Sequence, residues 1–300
     1  MNNQERELIR YICDGDIRKA QQAARIVLNG LTTKKDEQFK GNMLRKLDTK
    51  VGFIELPYNL RDLLVAEDMT NFPEARLLLR KNEEEAVRKT LSLYRVSERL
   101  SELGIPYLPA LILHGQSGCG KTMLARYIAH KSGLPFVYVQ FSNLLDSHLG
   151  GTQAKVARVF EYARTAPCVL CFDEIDAIGM TRGQQNDIGE MNRIVIALMQ
   201  EMDRLSNNVI IIGTTNRFDR LDPALVRRFP LQYELKPLAF EDAELIAQKF
   251  FRYAGFDLTD IGFSDWFLHS FGKEDVPASD VIKKCTEWIV NYIMTENYSL

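Results

Sequence analysis

A glycine-rich loop that ends in lysine and threonine is the clearest chemical feature of this sequence. It has the pattern G-x-x-x-x-G-K-T and consists of Gly115, Gln116, Ser117, Gly118, Cys119, Gly120, Lys121 and Thr122. In such a loop the glycines let backbone N–H groups turn toward phosphates, the lysine reaches the terminal phosphates, and the threonine hydroxyl ligates a metal ion. The loop therefore predicts a binding site for a nucleoside triphosphate with magnesium.

Two adjacent carboxylates follow an apolar segment about 50 residues beyond the loop. Asp173 and Glu174 come directly after residues 169–172, which read as a buried strand. A carboxylate at the end of such a strand can accept hydrogen bonds from the hydration shell of magnesium, and its neighbour can polarise an attacking water. The pattern assigns magnesium and nucleotide binding to Asp173, and the activation of water to Glu174.

Alternating strands and helices must hold these residues in place. An apolar run precedes the loop, and the segment after it has helical spacing. Strands are predicted at residues 110–114, 136–140, 168–173 and 209–214, and helices at residues 153–164 and 187–205. Such alternation is typical of a parallel sheet with helices on both faces. The predicted fold class is therefore α/β, a P-loop NTPase with a parallel sheet flanked by helices, plus an N-terminal helical module and a small C-terminal helical lid.

Changes of pattern along the chain divide it into four segments. Residues 1–52 read as the N-terminal helical module. Residues 53–104 read as a linker and helical lead-in, whose long helix we expect to be capped by Asn82. We expect residues 105–236 to form the α/β core and residues 237–300 to form the helical lid, which carries an excess of acidic side chains.

Composition limits the class of protein. The chain has 46% hydrophobic and 26% charged residues and a formal net charge of −2, which is ordinary for a globular protein in water. It has no run of roughly 18 apolar residues, the length that a membrane span needs. Its first residues are polar with no apolar segment behind them, which argues against a secretory signal and predicts a cytoplasmic protein.

The five cysteines do not have the pattern of a disulfide framework, because their number is odd and they are scattered. Cys168 and Cys171 have the C-x-x-C spacing of redox and metal sites, yet they lie in an apolar run. Residues three apart in a strand point to opposite faces of the sheet. We therefore interpret both cysteines as reduced thiols of the core.

Two further segments carry polar residues that follow predicted structure. The strand at residues 209–214 leads to Asn216, which could hydrogen-bond the attacking water or the terminal phosphate. Taken alone, Asn216 fits a turn-forming asparagine better. Arg227 and Arg228 lie together after a helix-forming segment at residues 221–226.

In combination these motifs resemble the AAA ATPase family, in the branch that includes katanin, spastin and the membrane-bound bacterial proteases. The resemblance rests on the phosphate loop, on the FDEIDAIG segment and on the TNRFDRLDPALVRRF segment, which occur in the family's order. It covers about residues 105–290. The resemblance implies that ATP is the nucleotide and that the chain assembles with copies of itself.

The same resemblance assigns roles to three residues outside the loop and the carboxylate pair. It implies that Asn216 is the first sensor, and that Arg227 and Arg228 are arginine fingers that complete the active site of the neighbouring subunit. A guanidinium supplied in this way neutralises charge on the transferred phosphoryl group. The alternative is that the two arginines make only surface salt bridges.

A finer resemblance comes from residues 186–193, from the short N-terminal helices and from the compact RRF triplet. These features are similar to bacterial stand-alone AAA ATPases, some of which are encoded beside subtilisin-like proteases. The resemblance therefore points to a protease as a partner.

The sequence departs from many relatives at two places. Where they have an aromatic-aliphatic-glycine triplet that grips a polypeptide in a central pore, this chain has His148, Leu149 and Gly150. His148 could grip a substrate in a pH-sensitive way, because the unperturbed pKa of histidine is near 6.5, or it could be an exposed loop residue without a role. The lid also has no clear arginine that could act as a second sensor.

The leading interpretation is an ATPase that hydrolyses Mg-ATP, assembles into a ring, expected to be a homo-hexamer, and remodels a protein substrate recruited by the N-terminal module. A nucleotide-controlled assembly switch that acts with a partner such as a protease is a second possibility. A nucleic-acid loader or motor is a third, but the chain has no strongly basic stripe and its lid is acidic. Protease activity in the chain itself is not expected, since it lacks the corresponding motifs.

Overall fold

In a computed structural model of the chain, the protein folds as two units, Met1–Phe53 and Ile54–Leu300. The structure describes residues 3–13, 56–105, 107–144, 151–176, 188–205, 209–259, 262–272 and 274–297, and isolated positions between residues 20 and 40. In the smaller unit, helix α1 spans Asn3–Cys13. The other helices expected in the N-terminal module lie outside the described residues, apart from those isolated positions.

The larger unit is built on a six-stranded sheet with the strand order β1-β3-β4-β5-β2-β6. The strands are β1 Leu64–Glu67, β2 Ala110–His114, β3 Phe136–Val139, β4 Cys168–Phe172, β5 Val209–Thr215 and β6 Leu231–Glu234. The pair β1 and β3 is antiparallel, and every other neighbouring pair is parallel. The α/β fold with a parallel sheet is therefore confirmed, with two edge strands that were not predicted from the sequence, the antiparallel β1 and the parallel β6.

Helices cover both faces of this sheet and form the lid. They are α2 Lys81–Glu102, α3 Lys121–Ser132, α4 Phe141–Leu144, α5 Gly151–Thr165, α6 Ile188–Asp203, α7 Pro223–Val226, α8 Phe240–Tyr253, α9 Phe263–Phe271 and α10 Ala278–Asn297. Short 3-10 turns span Tyr58–Leu60, Glu74–Arg76 and Phe218–Arg220.

The apolar residues of each strand are divided between two cores because successive side chains of a strand point to opposite faces. In β2, Ala110 and Ile112 join the core formed with α5 and α6, whereas Leu111 and Leu113 join the core formed with α2 and α3. These four residues are fully buried. The central strands of the sheet are therefore covered on both sides, and the ends of these strands are where a polar site is expected.

The cysteines of β4 confirm the interpretation from spacing. Cys168 lies in one core and Cys171 in the other, and both are fully buried. Burial raises the pKa of Cys168 to about 12 and raises the pKa of Cys171 well above its ordinary value. Both thiols therefore stay protonated in the core, away from redox or metal chemistry.

The start of helix α2 corrects one expectation, because Arg80 rather than Asn82 occupies the cap position. The backbone N–H of Arg80 donates to the carboxylate of Glu83 at 3.1 Å, while the amide of Asn82 donates to the carbonyl oxygen of Glu234 at 2.9 Å. The Asn82 side chain is thus engaged with β6 and does not cap the helix. The Arg80 guanidinium also donates to the carbonyl oxygens of Lys236 and Pro237.

The lid has an aromatic core of its own. Phe251 lies at its centre and makes edge-to-face contacts with Trp266 and Trp288, at ring-centre distances of 5.2 and 5.3 Å. Such contacts add stability beyond the area that they bury. Backbone hydrogen bonds of 2.8 Å between Leu238 and Val276 tie the first residues of the lid to the segment that precedes α10.

Candidate nucleotide-binding site

The glycine-rich loop connects the end of β2 to the first residue of α3, as the sequence predicts. Its glycines allow close approach of other elements. At Gly115 a Cβ would lie 2.0 Å from the carbonyl oxygen of Leu235, and at Gly118 it would lie 2.3 Å from Oγ of Ser279. Both glycines also have positive φ angles, of 136° and 80°. The loop is therefore held between the end of the sheet and the first turn of lid helix α10, in a shape that only glycine tolerates.

Lys121, the first residue of α3, is buried and points back into the loop. Its Nζ donates to the carbonyl oxygens of Gly115 at 2.9 Å and Gln116 at 2.8 Å, and to Oδ1 of Asn216 at 2.7 Å. Burial lowers the pKa of Lys121, and nearby acidic groups, among them Asp173, oppose this shift. The ammonium group is thus positioned between the loop and the end of β5.

Asp173 and Glu174 come directly after β4, at the carboxyl edge of the sheet. Oδ1 of Asp173 accepts hydrogen bonds from the hydroxyl of Thr122, at 2.9 Å, and from the hydroxyl of Thr214. Glu174 is exposed and has a positive φ of 53°, which is uncommon for a residue with a side chain. The two carboxylates therefore face the start of α3, where the loop ends.

A cavity of about 490 Å³ lies beside these groups. It is lined by Arg76, Ser117, Gly118, Gly120, Lys121, Thr122, Met123, Arg126, Asp173, Glu174, Thr214, Asn216, Ala278, Ser279, Ile282 and Lys283. The loop, the carboxylate pair and Asn216 thus meet at one cavity, although they are far apart in sequence. Cavities of this size are typical of small-molecule sites.

The residues of the cavity fit magnesium and a nucleotide. The Thr122 hydroxyl donates a hydrogen bond to Asp173, which leaves the lone pairs of the hydroxyl oxygen for a cation, and hard oxygen donors are the ligands that magnesium prefers. The glycine-rich cradle and the amino-terminal end of α3, which has 12 residues, favour an anion. Thr122 and Asp173 would hold the metal, and the loop with Lys121 would hold the phosphates.

Several cavity residues were not predicted from the sequence. Arg126 lies on α3 and could have been found from its helical spacing, four residues after Thr122. Its guanidinium makes a two-pronged ion pair with Glu67 of β1, at 2.7 and 2.9 Å. Arg76 and Lys283 reach the cavity from the lead-in and from the lid. No pattern in the sequence indicates these two, since only the tertiary fold brings their segments to the loop.

The two candidate arginine fingers do not line the cavity of their own chain. Arg227 is exposed, and among the described residues no side chain pairs with its guanidinium. Arg228 makes a two-pronged ion pair with Asp203 at the end of α6, at 3.0 and 2.8 Å, and donates to the carbonyl oxygen of Ala224 at 2.9 Å. The neighbouring arginines therefore have different surroundings.

The pore triplet His148, Leu149 and Gly150 lies outside the described residues. The same holds for the first residues of the segment 186–193 that carries the finer resemblance. The pore-loop prediction therefore stays a prediction.

The fold and the site together define a P-loop nucleotide-binding domain. Residues 111–237 match the family model described as "ATPase family associated with various cellular activities (AAA)". This part of the chain therefore matches an AAA ATPase domain.

Similar proteins include AAA ATPases of fungi and bacteria. The chain is 36% identical to the peroxisomal ATPase pex6 of Schizosaccharomyces pombe over 209 residues, which are 67% of this chain and 21% of that protein. It is 36% identical to the AAA family ATPase y4kL of Sinorhizobium fredii over 136 residues, which are 45% of this chain and 41% of that protein. It is 41% identical to the ATPase family gene 2 protein of S. pombe over 133 residues, which are 43% of this chain and 16% of that protein.

The chain thus spans less than half the length of each of these relatives. Within the described part of the chain, none of the helices combines the length and the apolar character that crossing a membrane requires.

Proposed function

We propose that this protein hydrolyses Mg-ATP, that it assembles into a ring, and that it uses the cycle to remodel a protein substrate. The observation that carries the proposal is the meeting of Lys121, Thr122, Asp173, Glu174 and Asn216 at one cavity. These residues come from three separate segments of the sequence, and each is suited to a different task in the reaction. Their combination fits phosphoryl transfer to water better than nucleotide binding alone.

In the binding step, the loop residues from Gly115 to Gly120 present backbone N–H groups to the phosphates. When bound, magnesium supplies neutralisation of charge at the terminal phosphates. Thr122 and Asp173, which share a hydrogen bond, would hold this ion. Lys121 exchanges its contacts with the loop carbonyls for the terminal phosphates, since those carbonyls are its partners in the structure.

In the hydrolytic step, Glu174 orients the attacking water and accepts its proton on a carboxylate oxygen. This assignment is supported by the exposure of Glu174 and by its place beside Asp173 at the edge of the sheet. Asn216 senses the terminal phosphate through an amide that already contacts Lys121. General-base action of this kind contributes about 10²- to 10⁴-fold in rate.

Arg227 and Arg228 act on the neighbouring subunit in the proposed ring, which we expect to be a homo-hexamer. The exposure of Arg227 supports this role, because a side chain that does not line its own cavity is free to enter another. Arg228 is held by its ion pair with Asp203. We therefore assign the direct contact with the neighbouring subunit's nucleotide to Arg227, and to Arg228 the shaping of the surface that faces this subunit.

The remaining assignments rest on sequence resemblance. We place the domain in the katanin, spastin and membrane-protease branch and near the bacterial stand-alone ATPases, and the likeness to y4kL of S. fredii supports the latter. The N-terminal module would recruit the substrate, His148, Leu149 and Gly150 would contact it in the pore, and a protease could act as partner. We also propose a cytoplasmic location, and the formal net charge of −2 with an acidic lid disfavours nucleic acid as a partner.

The decisive experiment measures turnover and mass in solution for Glu174→Gln, with and without Mg-ATP. We expect turnover to fall about 10²- to 10⁴-fold, and a ring of about six chains to appear when ATP is present. Glu98→Gln, an exposed change on α2, serves as the control and should behave like the wild type. Wild-type turnover in Glu174→Gln would remove Glu174 from the mechanism. A monomer under both conditions would instead favour the assembly switch that waits for a partner.

A further inference from the structure

Thr214 is a buried residue that lies next to the nucleotide-binding motifs without belonging to any of them. It is the next-to-last residue of β5 and is only 1% exposed. We propose that Thr214 is a positioning residue, which holds Asp173 and Glu174 in the arrangement that ATP hydrolysis requires. The proposal deepens the function proposed above and rests on it.

Three consecutive residues after β4 hydrogen-bond to Thr214. Its hydroxyl donates to Oδ1 of Asp173 and accepts the N–H of Glu174 at 3.1 Å. Its carbonyl oxygen accepts the N–H of Ile175 at 2.9 Å. The parallel register, in which Phe172 lies beside Gly213, places Thr214 next to Asp173. A single hydroxyl thus serves as donor and acceptor to adjacent residues of the site.

These contacts explain how Glu174 keeps its unusual backbone. Its φ of 53° lies in the left-handed region, which residues with side chains avoid unless their surroundings enforce it. The N–H of Glu174 and that of the next residue are both tied to Thr214, so that the turn is fixed on both sides of the α-carbon of Glu174. The direction of the Glu174 side chain therefore depends on β5.

Asp173 is oriented from two elements at once. The Thr122 hydroxyl reaches Oδ1 from α3, and the Thr214 hydroxyl reaches the same oxygen from β5. If the Thr214 hydroxyl is removed, the Asp173 carboxylate keeps one side-chain donor among the described residues, the hydroxyl of Thr122. Partners of this kind, which orient a metal-binding carboxylate, typically affect metal affinity or activity about 10- to 100-fold.

The first experiment measures hydrogen exchange of the Glu174 and Ile175 amides in the nucleotide-free protein. Thr214→Val keeps the branched shape but removes the hydroxyl, whereas Thr214→Ser keeps the hydroxyl. We expect slow exchange at Glu174 in the wild type and in Thr214→Ser, and faster exchange in Thr214→Val. Equal exchange at Glu174 in all three proteins would overturn the proposal. If Thr214→Val does not fold, Thr214→Ala takes its place, because it removes the same hydroxyl without adding bulk. The Glu174 amide should then exchange faster in Thr214→Ala than in the wild type and in Thr214→Ser.

The second experiment measures kcat and KM for ATP in the same variants. We expect kcat of Thr214→Val to fall about 10- to 100-fold with KM changed less than about threefold, and Thr214→Ser to recover most of the loss. Thr90→Val is the control, because Thr90 is also buried and its hydroxyl donates within α2, to the carbonyl oxygen of Ala86 at 2.7 Å. Wild-type kcat in Thr214→Val, or equal losses in the valine and serine variants, would overturn the proposal.

The two experiments separate this proposal from the function on which it rests. If the wild type does not hydrolyse ATP, the proposed function fails, while the exchange of the Glu174 amide still decides whether Thr214 holds the turn. If the wild type hydrolyses ATP and Glu174→Gln stops turnover, but Thr214→Val does not change kcat, only the role of Thr214 is wrong.

Discussion

Lys121 and Asn216 are 95 residues apart in the sequence, yet Nζ of Lys121 donates a hydrogen bond of 2.7 Å to Oδ1 of Asn216. The contact joins the first residue of α3 to the residue that follows β5. Because β2 and β5 are parallel neighbours, the residues after them emerge at the same edge of the sheet. The phosphate-binding loop and the candidate sensor are therefore one hydrogen-bonded unit.

Replacing Asn216 with alanine should lower kcat about 100-fold and leave the affinity for ATP nearly unchanged. A positioned polar group that acts on developing charge contributes about this much to rate, whereas the change leaves in place Lys121 and the loop, to which we assign the binding of the phosphates. Steady-state turnover and equilibrium binding of a fluorescent ATP analogue measure the two effects. Asn82→Ala, which removes an amide bonded to the carbonyl of Glu234, is the control. A large loss of affinity in Asn216→Ala would instead make Asn216 a binding residue.

Most of the fold could be predicted from periodicity. The predicted limits of β2 agree with the structure, and those of β3, β4 and β5 differ by a single residue, because each strand is an apolar run between clear turn signals. β1 was missed because Leu64–Glu67 is short and lies in a segment without alternation. Its place is fixed by tertiary contacts instead, namely pairing with β3 and the ion pair of Glu67 with Arg126.

The candidate site was predictable where one segment carries a whole pattern. Such patterns contain the loop residues, Asp173 and Asn216, and the structure brings these residues to one cavity. Thr214 and Lys283 were not predictable, since their relevance arises from a strand neighbour and from the packing of lid helix α10 on the loop. Sequence spacing contains no information about either relationship.

Lys283 should contribute to ATP affinity although it lies in the lid. It lines the cavity that contains Lys121, and its side chain is 75% exposed, so that its attraction for phosphates is screened by water and salt. Lys283→Ala should weaken ATP binding about twofold to fivefold at low salt, and the difference should shrink at high salt. Lys284→Ala is a matched control, because Lys284 is the next residue and does not line the cavity. If both changes weaken ATP binding equally at low salt, the effect comes from the overall positive charge of α10 and not from the position of Lys283 at the cavity.

Arg228 should stabilise the fold, whereas Arg227 should not. Arg228 is paired with Asp203, and the two side chains are 31% and 57% exposed, so that the pair contributes only about 0.2–1 kcal/mol. Arg228→Ala should therefore lower Tm by up to about 4 °C, and Arg227→Ala should leave it unchanged. Asp203→Ala should lower Tm by nearly as much as Arg228→Ala, and the double variant should lower it little further, because either change alone removes the ion pair. Strictly additive losses in thermal melting would mean that the two side chains act independently.

Arg227 should act on the site of another subunit. Arg227→Ala should lower turnover about 10³-fold or more without weakening ATP binding. Glu174→Gln should be inactive although it binds ATP and assembles. Mixed in equal amounts, the two inactive variants should regain about a quarter of wild-type turnover, since about one interface in four pairs an intact Glu174 with an intact Arg227. Arg220→Ala, which removes another exposed arginine, is the control. No recovery in mixed rings would place Arg227 in the site of its own chain.

His114 should make the stability of the fold depend on pH. Its ring stacks on Phe218 at 4.3 Å, and burial lowers its pKa below the ordinary value of 6.5, an effect that Glu234 opposes and Lys121 reinforces. Because the unfolded chain binds a proton at His114 more readily than the folded chain, this contribution to stability is complete above pH 6.5 and is lost as the pH falls toward the lowered pKa. His114→Phe keeps an aromatic ring at this position but cannot titrate, so its free energy of unfolding should fall less than that of the wild type between about pH 7.5 and about pH 5.5. Urea unfolding at both pH values measures the difference, with the exposed His269→Phe as the control. An identical pH dependence in His114→Phe and in the wild type would mean that other groups cause the loss.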